Sequence, residues 1–194
     1  MNNDIEDIFS FLKINHGFKT EDEVLFKKYF QQEVFEKNDF VLRAGEVCHK
    51  LYFVKKGLLR TFHTNQNGIE FTRLFASENE FCTILLSFSA AIKSVANIQA
   101  LEKTELYSIT FAHFKEFLDQ SEKAKNIYTI ILENFQNFQI KRLEFLTSYS
   151  SLEKVELFLN ENKDLEQRIS DRVISTYLQI TPETYSRCKK LLIS

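Results

Sequence analysis

The side chains best placed to do chemistry in this chain of 194 residues lie in its last quarter. Arg187, Lys189 and Lys190 follow closely on Thr181, Glu183, Thr184 and Ser186. Cations interleaved with hydroxyls suit contacts to phosphates. Elsewhere the chemistry is sparse. Cys48, Cys82 and Cys188 are odd in number and far apart, and no Cys-x-x-Cys pair or Cys/His cluster occurs. Zinc and iron–sulfur sites are therefore not expected, and the thiols read as reduced. His16, His49, His63 and His113 are scattered, with no triad partner recognisable. No phosphate loop or glycine-rich cofactor turn is present, so a non-enzymatic protein without a cofactor is expected.

The elements that position the basic residues are two short helices with a tight bend. Ser170 suits a cap and Asp171 a first turn, after which Val173, Ile174, Tyr177 and Leu178 recur at helical spacing. The bend falls at Leu178-Gln179-Ile180. Thr181 is the next cap, with Pro182 at the first helical position and Glu183 behind it. This is a helix-turn-helix pattern, whose second helix enters the DNA major groove. Helix pairs ending in a basic turn also occur in domains that never meet DNA, so the rest of the chain bears on the reading.

The net charge is −2, which alone does not suggest nucleic acid. From Arg168 onward, however, five basic and two acidic residues give +3, leaving −5 for the remainder. A basic tip on an acidic body fits contact through one end. With 20 Phe and no Trp, Phe dominates the apolar volume, and one Pro with four Gly argues against disorder. The polar start, Met1-Asn2-Asn3-Asp4, is no signal peptide, and no apolar run approaches a membrane span. A cytoplasmic protein without membrane contact is expected.

Residues 4–30 read as helical, with one stripe at Ile5, Ile8, Phe9 and Leu12 and another at Val24, Leu25, Lys28 and Tyr29. From Glu33 to about Ile109 the pattern becomes short strands punctuated by Gly45, Gly57 and Asn67-Gly68, the last a hairpin signal because both residues tolerate positive φ. Many short strands mean a barrel, roll or sandwich. A short helix, Thr83 to about Phe88, is set among them, and another follows at about Phe111 to Leu118.

The longest helical stretch runs from Glu122 to Tyr149. Tyr128, Ile131, Phe135, Phe138, Arg142, Phe145 and Tyr149 follow a 3-4 spacing that reads as a coiled-coil seam facing a second copy, the alternative being a core helix buried within one chain. A second row, Ile130, Leu132, Leu143 and Leu146, is left to face the β domain, and Phe138→Glu is then expected to give a monomer. Ser151 to Leu159 is a further short helix, leading through a polar stretch into the C-terminal pair.

This order, and three motifs within it, resemble the Crp/Fnr family of bacterial transcription regulators over roughly residues 24–192. The motifs are Leu42-Arg43-Ala44-Gly45-Glu46, Leu51-Tyr52-Phe53-Val54-Lys55-Lys56-Gly57-Leu58-Leu59-Arg60 and Ile180-Thr181-Pro182-Glu183-Thr184-Tyr185-Ser186-Arg187. The resemblance implies an α+β chain. Residues 1–121 would form N-terminal helices and a jelly-roll-like, cyclic-nucleotide-binding-type β-roll, 122–149 a dimerisation helix, and 150–194 an all-α helix-turn-helix domain lacking most of the wing. It implies a homodimeric transcription regulator whose partners are double-stranded DNA, RNA polymerase and an unknown small effector. By resemblance Glu183 and Arg187 read base edges, where a carboxylate accepts from cytosine N4 and a guanidinium pairs with guanine O6 and N7. Thr181, Thr184, Ser186, Lys189 and Lys190 complete the expected contacts. Glu183 equally suits a helix-starting role.

Three departures bear on function. The family's nucleotide-binding members hold the cyclic phosphate with Gly-Glu and Arg-Ser/Thr pairs, but here the corresponding places read Phe81-Cys82-Thr83-Ile84 and Lys93-Ser94-Val95. A response to cyclic AMP is not expected, and Phe81, Thr83, Ile84, Lys93 and Ser94 would line whatever pocket exists. The usual turn glycine is Gln179. The sequence ends at Ser194, which leaves no room for a β-wing and implies weak or salt-sensitive DNA affinity. The alternative is a ligand-binding or scaffold dimer whose helix pair no longer binds DNA specifically.

Overall fold

The computed structural model describes residues 20–193, and among these the chain forms eight helices and eight strands. The expected stripe at Ile5, Ile8, Phe9 and Leu12 lies outside the described residues. Two compact units result, one of residues 20–61 with 75–133 and one of 62–74 with 134–193.

The strands are β1 (Gln31–Phe35), β2 (Phe40–Leu42), β3 (Lys50–Lys56), β4 (Leu59–Thr64), β5 (Glu70–Ala76), β6 (Phe81–Cys82), β7 (Asn97–Ala100) and β8 (Thr104–Thr110). They form two four-stranded sheets, ordered β1-β8-β3-β6 and β2-β7-β4-β5. Strand β8 is antiparallel to both neighbours, with Tyr107 opposite Gln32 on one side and Phe53 on the other. Leu51 to Val54 on β3 are all buried, which is why this stretch reads as a continuous apolar run rather than an alternation. Helices α1 (Thr20–Tyr29), α2 (Leu85–Ala90) and α3 (Phe111–Gln120) flank the strands. Their Phe26, Tyr29, Phe88, Phe114 and Phe117 join Leu51, Phe53, Tyr107 and Ile109 in one aromatic core. The abundant Phe is thus the material of this core. Helix α2 starts later than expected because Thr83 keeps a non-helical role, its hydroxyl donating to the Lys50 carbonyl at 3.0 Å.

Strands β4 and β5 form the expected hairpin, but its turn is wider than an Asn-Gly pair. Gly68 takes a positive φ of 78° and Asn67 does not. Asn65 closes the loop instead, its Oδ1 accepting from the N–H groups of Asn67 at 2.9 Å and Ile69 at 3.0 Å.

The second unit holds the later part of α4 (Glu122–Ser148), then α5 (Ser151–Glu161), α6 (Lys163–Arg168), α7 (Asp171–Leu178) and α8 (Pro182–Ile193). A capping box opens α5: Ser150 accepts from the Glu153 N–H and the Glu153 carboxylate accepts from the Ser150 N–H. Helix α6 is an addition to the expected order, in a stretch too polar to show a periodic stripe. Val155 and Phe158 of α5, Ile174 and Leu178 of α7, and Tyr185 and Cys188 of α8 make the buried centre of this unit.

Gly57, between β3 and β4, is the most closely packed of the described glycines. Its φ is +105°, and an added Cβ would lie 2.6 Å from Thr104 Oγ1 and 2.7 Å from the Lys103 carbonyl oxygen. Gly57→Ala is therefore expected to cost more than about 2 kcal/mol, from positive φ and overpacking together. Gly68→Ala, where nothing lies within 4 Å, should cost less. Paired urea titrations check the ranking.

Candidate nucleic-acid interface

The second unit builds the helix-turn-helix from local rules. Ser170 caps α7 by accepting from the Val173 N–H at 3.4 Å. The helix ends at Gln179, which adopts the left-handed region at φ 54° and ψ 44°. The N–H groups of Gln179 and Ile180 both reach the Ser175 carbonyl, the latter at 3.1 Å. The bend is made without glycine, at a conformational cost of about 1 kcal/mol. Thr181 then accepts from the Thr184 N–H at 3.2 Å and Pro182 opens α8. Tyr185 and Cys188, three residues apart, turn one side of α8 into the core.

What remains outward is a single open face of Pro182, Glu183, Ser186, Arg187, Lys190 and Leu191. Four of the seven expected DNA-contacting residues come together there. Thr181 is exposed at the cap and donates its hydroxyl to Thr184 Oγ1 at 3.1 Å. Glu183 carries a helix-start signature: its own backbone N–H holds its carboxyl below the usual carboxylate range. Pro182 and Leu191 were not anticipated as part of the face. Their signal was present, since 182, 186 and 190, and likewise 183, 187 and 191, fall four apart on a helix.

Lys189 departs from expectation. Its ammonium donates to Glu166 Oε1 at 2.8 Å and Asp171 Oδ1 at 3.3 Å, and it lies 5.5 Å from the centre of the Tyr185 ring. The hydrogen bond to Glu166 holds it above the usual lysine range. It ties α8 to α6 and the start of α7 rather than standing ready for a phosphate. No rule of spacing showed this, because Glu166 is distant in sequence and sits on the unanticipated helix.

Much of the expected long-helix seam meets its own chain. Tyr128 and Ile131 pack against the aromatic core, Tyr128 meeting Phe114 edge to face at 4.9 Å. Phe135 and Phe138 are half-buried. Arg142 is only 7 % exposed, and its guanidinium lies 3.8 Å from the Tyr177 ring centre. Phe145 is half-buried, and Tyr149 lies beside it at the exposed end. It is the second row, Ile130, Leu132 and Leu143, that is exposed, Leu143 at 64 %.

The expected pocket residues do not form one set of free groups. Phe81 packs on Phe53 at 4.9 Å, and the Thr83 hydroxyl is spent on the Lys50 carbonyl. Ile84 is half-buried at the start of α2. Ser94 is buried, and its hydroxyl donates to the Ala96 carbonyl at 2.6 Å. Lys93 is exposed. Among the described residues no group of His, Cys, Asp and Glu could hold a metal ion, and no helix is long and apolar enough to cross a membrane.

Comparison with known proteins agrees with this architecture. Residues 32–121 match the family model of the cyclic nucleotide-binding domain. The chain is similar to FixK2 of Bradyrhizobium japonicum, with a TM-score of 0.75 at 16% identity over 84% of each chain. It is also similar to the c-di-GMP-responsive regulator CLP of Xanthomonas campestris, with a TM-score of 0.75 at 14% identity over 90% of this chain and 91% of that one. A human hyperpolarization-activated cyclic nucleotide-gated channel, number 3, is 24% identical over 159 residues, which are 77% of this chain and 20% of the channel. The matched stretch is thus about a fifth of that relative's length. A cyclic nucleotide-binding-type domain followed by helices, in the fold of the Crp/Fnr regulators, is what this chain is built on.

Lys189→Ala is expected to lower stability by about 1 kcal/mol, the upper range for a partly exposed ion pair, while Lys190→Ala leaves it nearly unchanged. Thermal melts of both variants at low salt check the division; equal melting points would remove the structural role given to Lys189.

Proposed function

We propose that this protein is a dimeric, sequence-specific DNA-binding transcription regulator of the Crp/Fnr type that does not respond to cyclic AMP. The observation that carries the reading is the outward face of α8. Glu183, Ser186, Arg187 and Lys190 stand together there, while the buried side and Lys189 hold the helix in place. Arg187 is the base-reading residue, suited to guanine O6 and N7. Lys190 meets a phosphate. Glu183 starts the helix and lies beside Arg187 on the same face.

Two copies join through the exposed row of the long helix. Leu132, Gln136, Ile140, Leu143 and Thr147 succeed one another at spacings of 4, 4, 3 and 4, one continuous side of α4. An exposed apolar row on a long helix is the ordinary mark of a partner helix. Two α8 helices would then read half-sites about one DNA turn apart. Independence from cyclic AMP follows from the absence of an arginine at Lys93-Ser94-Val95 and from the internal use of the Ser94 hydroxyl.

Selection of bound sites from random DNA by the purified protein should return a two-fold-symmetric site. Arg187→Ala should cost about 1–3 kcal/mol and relax one base position, whereas Lys190→Ala should weaken all sequences alike and lower the salt slope by about one. Equal, weak binding of every sequence by wild type and Arg187→Ala would instead mark a dimer without a DNA target.

Leu143→Glu should yield a folded monomer at micromolar concentration by sedimentation. Phe138→Glu, at a position turned toward its own chain, should first lower the melting temperature. A dimeric Leu143→Glu protein would sink the exposed-row interface.

A further inference from the structure

The outward face of α8 has a member at its start that the polar roles above leave unused. Pro182 opens the helix, is exposed, and lies on the same face as Glu183, Ser186, Arg187 and Lys190. Its place at the first helical position has a local explanation, since a missing N–H is no loss there. That explanation accounts for the backbone and not for the ring, which stays out of the core. The ring carries no donor and no acceptor, so it reads no base edge by hydrogen bonding. It also has no rotamer freedom to lose when it is covered.

We infer that Pro182 is a specificity-determining residue that packs on the C5-methyl group of a thymine in the half-site. The inference rests on the reading of α8 as the helix that enters the major groove. The base pairs differ there in donors and acceptors, and thymine alone adds an apolar group. A proline ring set against the edge of any other base covers polar atoms and returns no hydrogen bond, which costs free energy. The first residues of a recognition helix are the ones that reach base edges, and Pro182 is the first residue of α8. Helix geometry then places the thymine. Pro182 precedes Arg187 by five residues, about 7.5 Å along the axis or about two base steps. The thymine therefore lies within about two base pairs of the guanine that Arg187 reads. Leu191, the other apolar member of the face, follows Pro182 by nine residues, about 13.5 Å, too far along α8 to share that methyl group.

The test measures affinity of the protein for its selected site, with each thymine of one half-site replaced in turn by deoxyuridine, which removes only the methyl group. In wild type one replacement, within about two base pairs of the position that Arg187→Ala relaxes, should weaken binding about fourfold, the worth of one buried carbon. Pro182→Gly should bind the thymine and uracil forms alike, and Pro182→Val, which keeps apolar bulk, should keep the preference. A role in starting the helix and nothing more would shift both forms together and leave their ratio unchanged. Leu191→Ala should retain the wild-type ratio. Equal binding of thymine and uracil forms at every position, with sequence selectivity intact, overturns this inference and leaves the DNA-reading role of α8 standing. A ratio that survives Pro182→Gly, or is lost in Leu191→Ala, gives the methyl group to another residue and overturns it as well. Selection of no sequence at all removes both the inference and the reading beneath it.

Discussion

The guanidinium of Arg142 sits buried on the long helix, where it donates to the main-chain carbonyl of Tyr177 and lies 3.8 Å from the centre of that residue's ring. Burying a charge costs several kcal/mol, and burial pushes this guanidinium below its ordinary range. Three terms oppose that cost. A charge-assisted hydrogen bond contributes about 1.5–3 kcal/mol, the ring adds a cation–π attraction, and the accepting carbonyl lies in the last turn of α7, at the negative end of its dipole. Tyr177 stands two residues before Gln179, the left-handed residue of the bend. A cation on α4 that fixes the end of α7 therefore also fixes where α8 begins. The orientation of the outward face is set by a residue outside the helix-turn-helix itself.

On α8 the same economy governs the charges. Tyr185 and Cys188 occupy the buried side, and Lys189, next to it, is held by Glu166 and Asp171. The +3 counted along the C-terminal stretch is thus not all available to a polyanion. Arg172, Arg187 and Lys190 are its exposed cations on these two helices. Few phosphate contacts mean a shallow salt dependence, not the salt-sensitive affinity expected from the missing wing, and leave more of any specificity to Arg187 and its neighbours.

Much of this was legible because it obeys local rules. The caps at Ser170 and Thr181, the proline opening α8 and the bend at Gln179 are decided within four or five residues, and the sequence shows all of them. The strand pattern was legible for the same reason, through glycines such as Gly57 whose backbone needs no side chain. What was not legible depended on which partner an apolar face meets. Both rows of the long helix have the right period, and period alone does not say which faces inward. Contacts across the fold do: Tyr128 packs on the aromatic core and Arg142 is buried, whereas Leu132 and Leu143 are exposed. Lys189 was misread for a further reason: its partners lie on α6 and the first turn of α7, and a pairing across elements has no periodic trace. The hairpin residues 62–74 group with the C-terminal helices, where Thr72 and Thr176 hydroxyls meet at 2.7 Å, 104 residues apart in sequence, and nothing local announces that contact.

In the cyclic nucleotide-binding-type domain the demands of the fold and those of a bound phosphate fall on different residues. What the fold demands is present: positive φ at Gly57 against Thr104, a buried β3 between two partners, and an aromatic core beneath α1 and α3. These positions cannot change without loss of packing. Lys93 and Ser94 lie outside that core, in the segment just before β7. There Ser94 has turned its hydroxyl onto the Ala96 carbonyl and Lys93 faces outward. A segment that satisfies its own polar groups no longer requires an anion to do so.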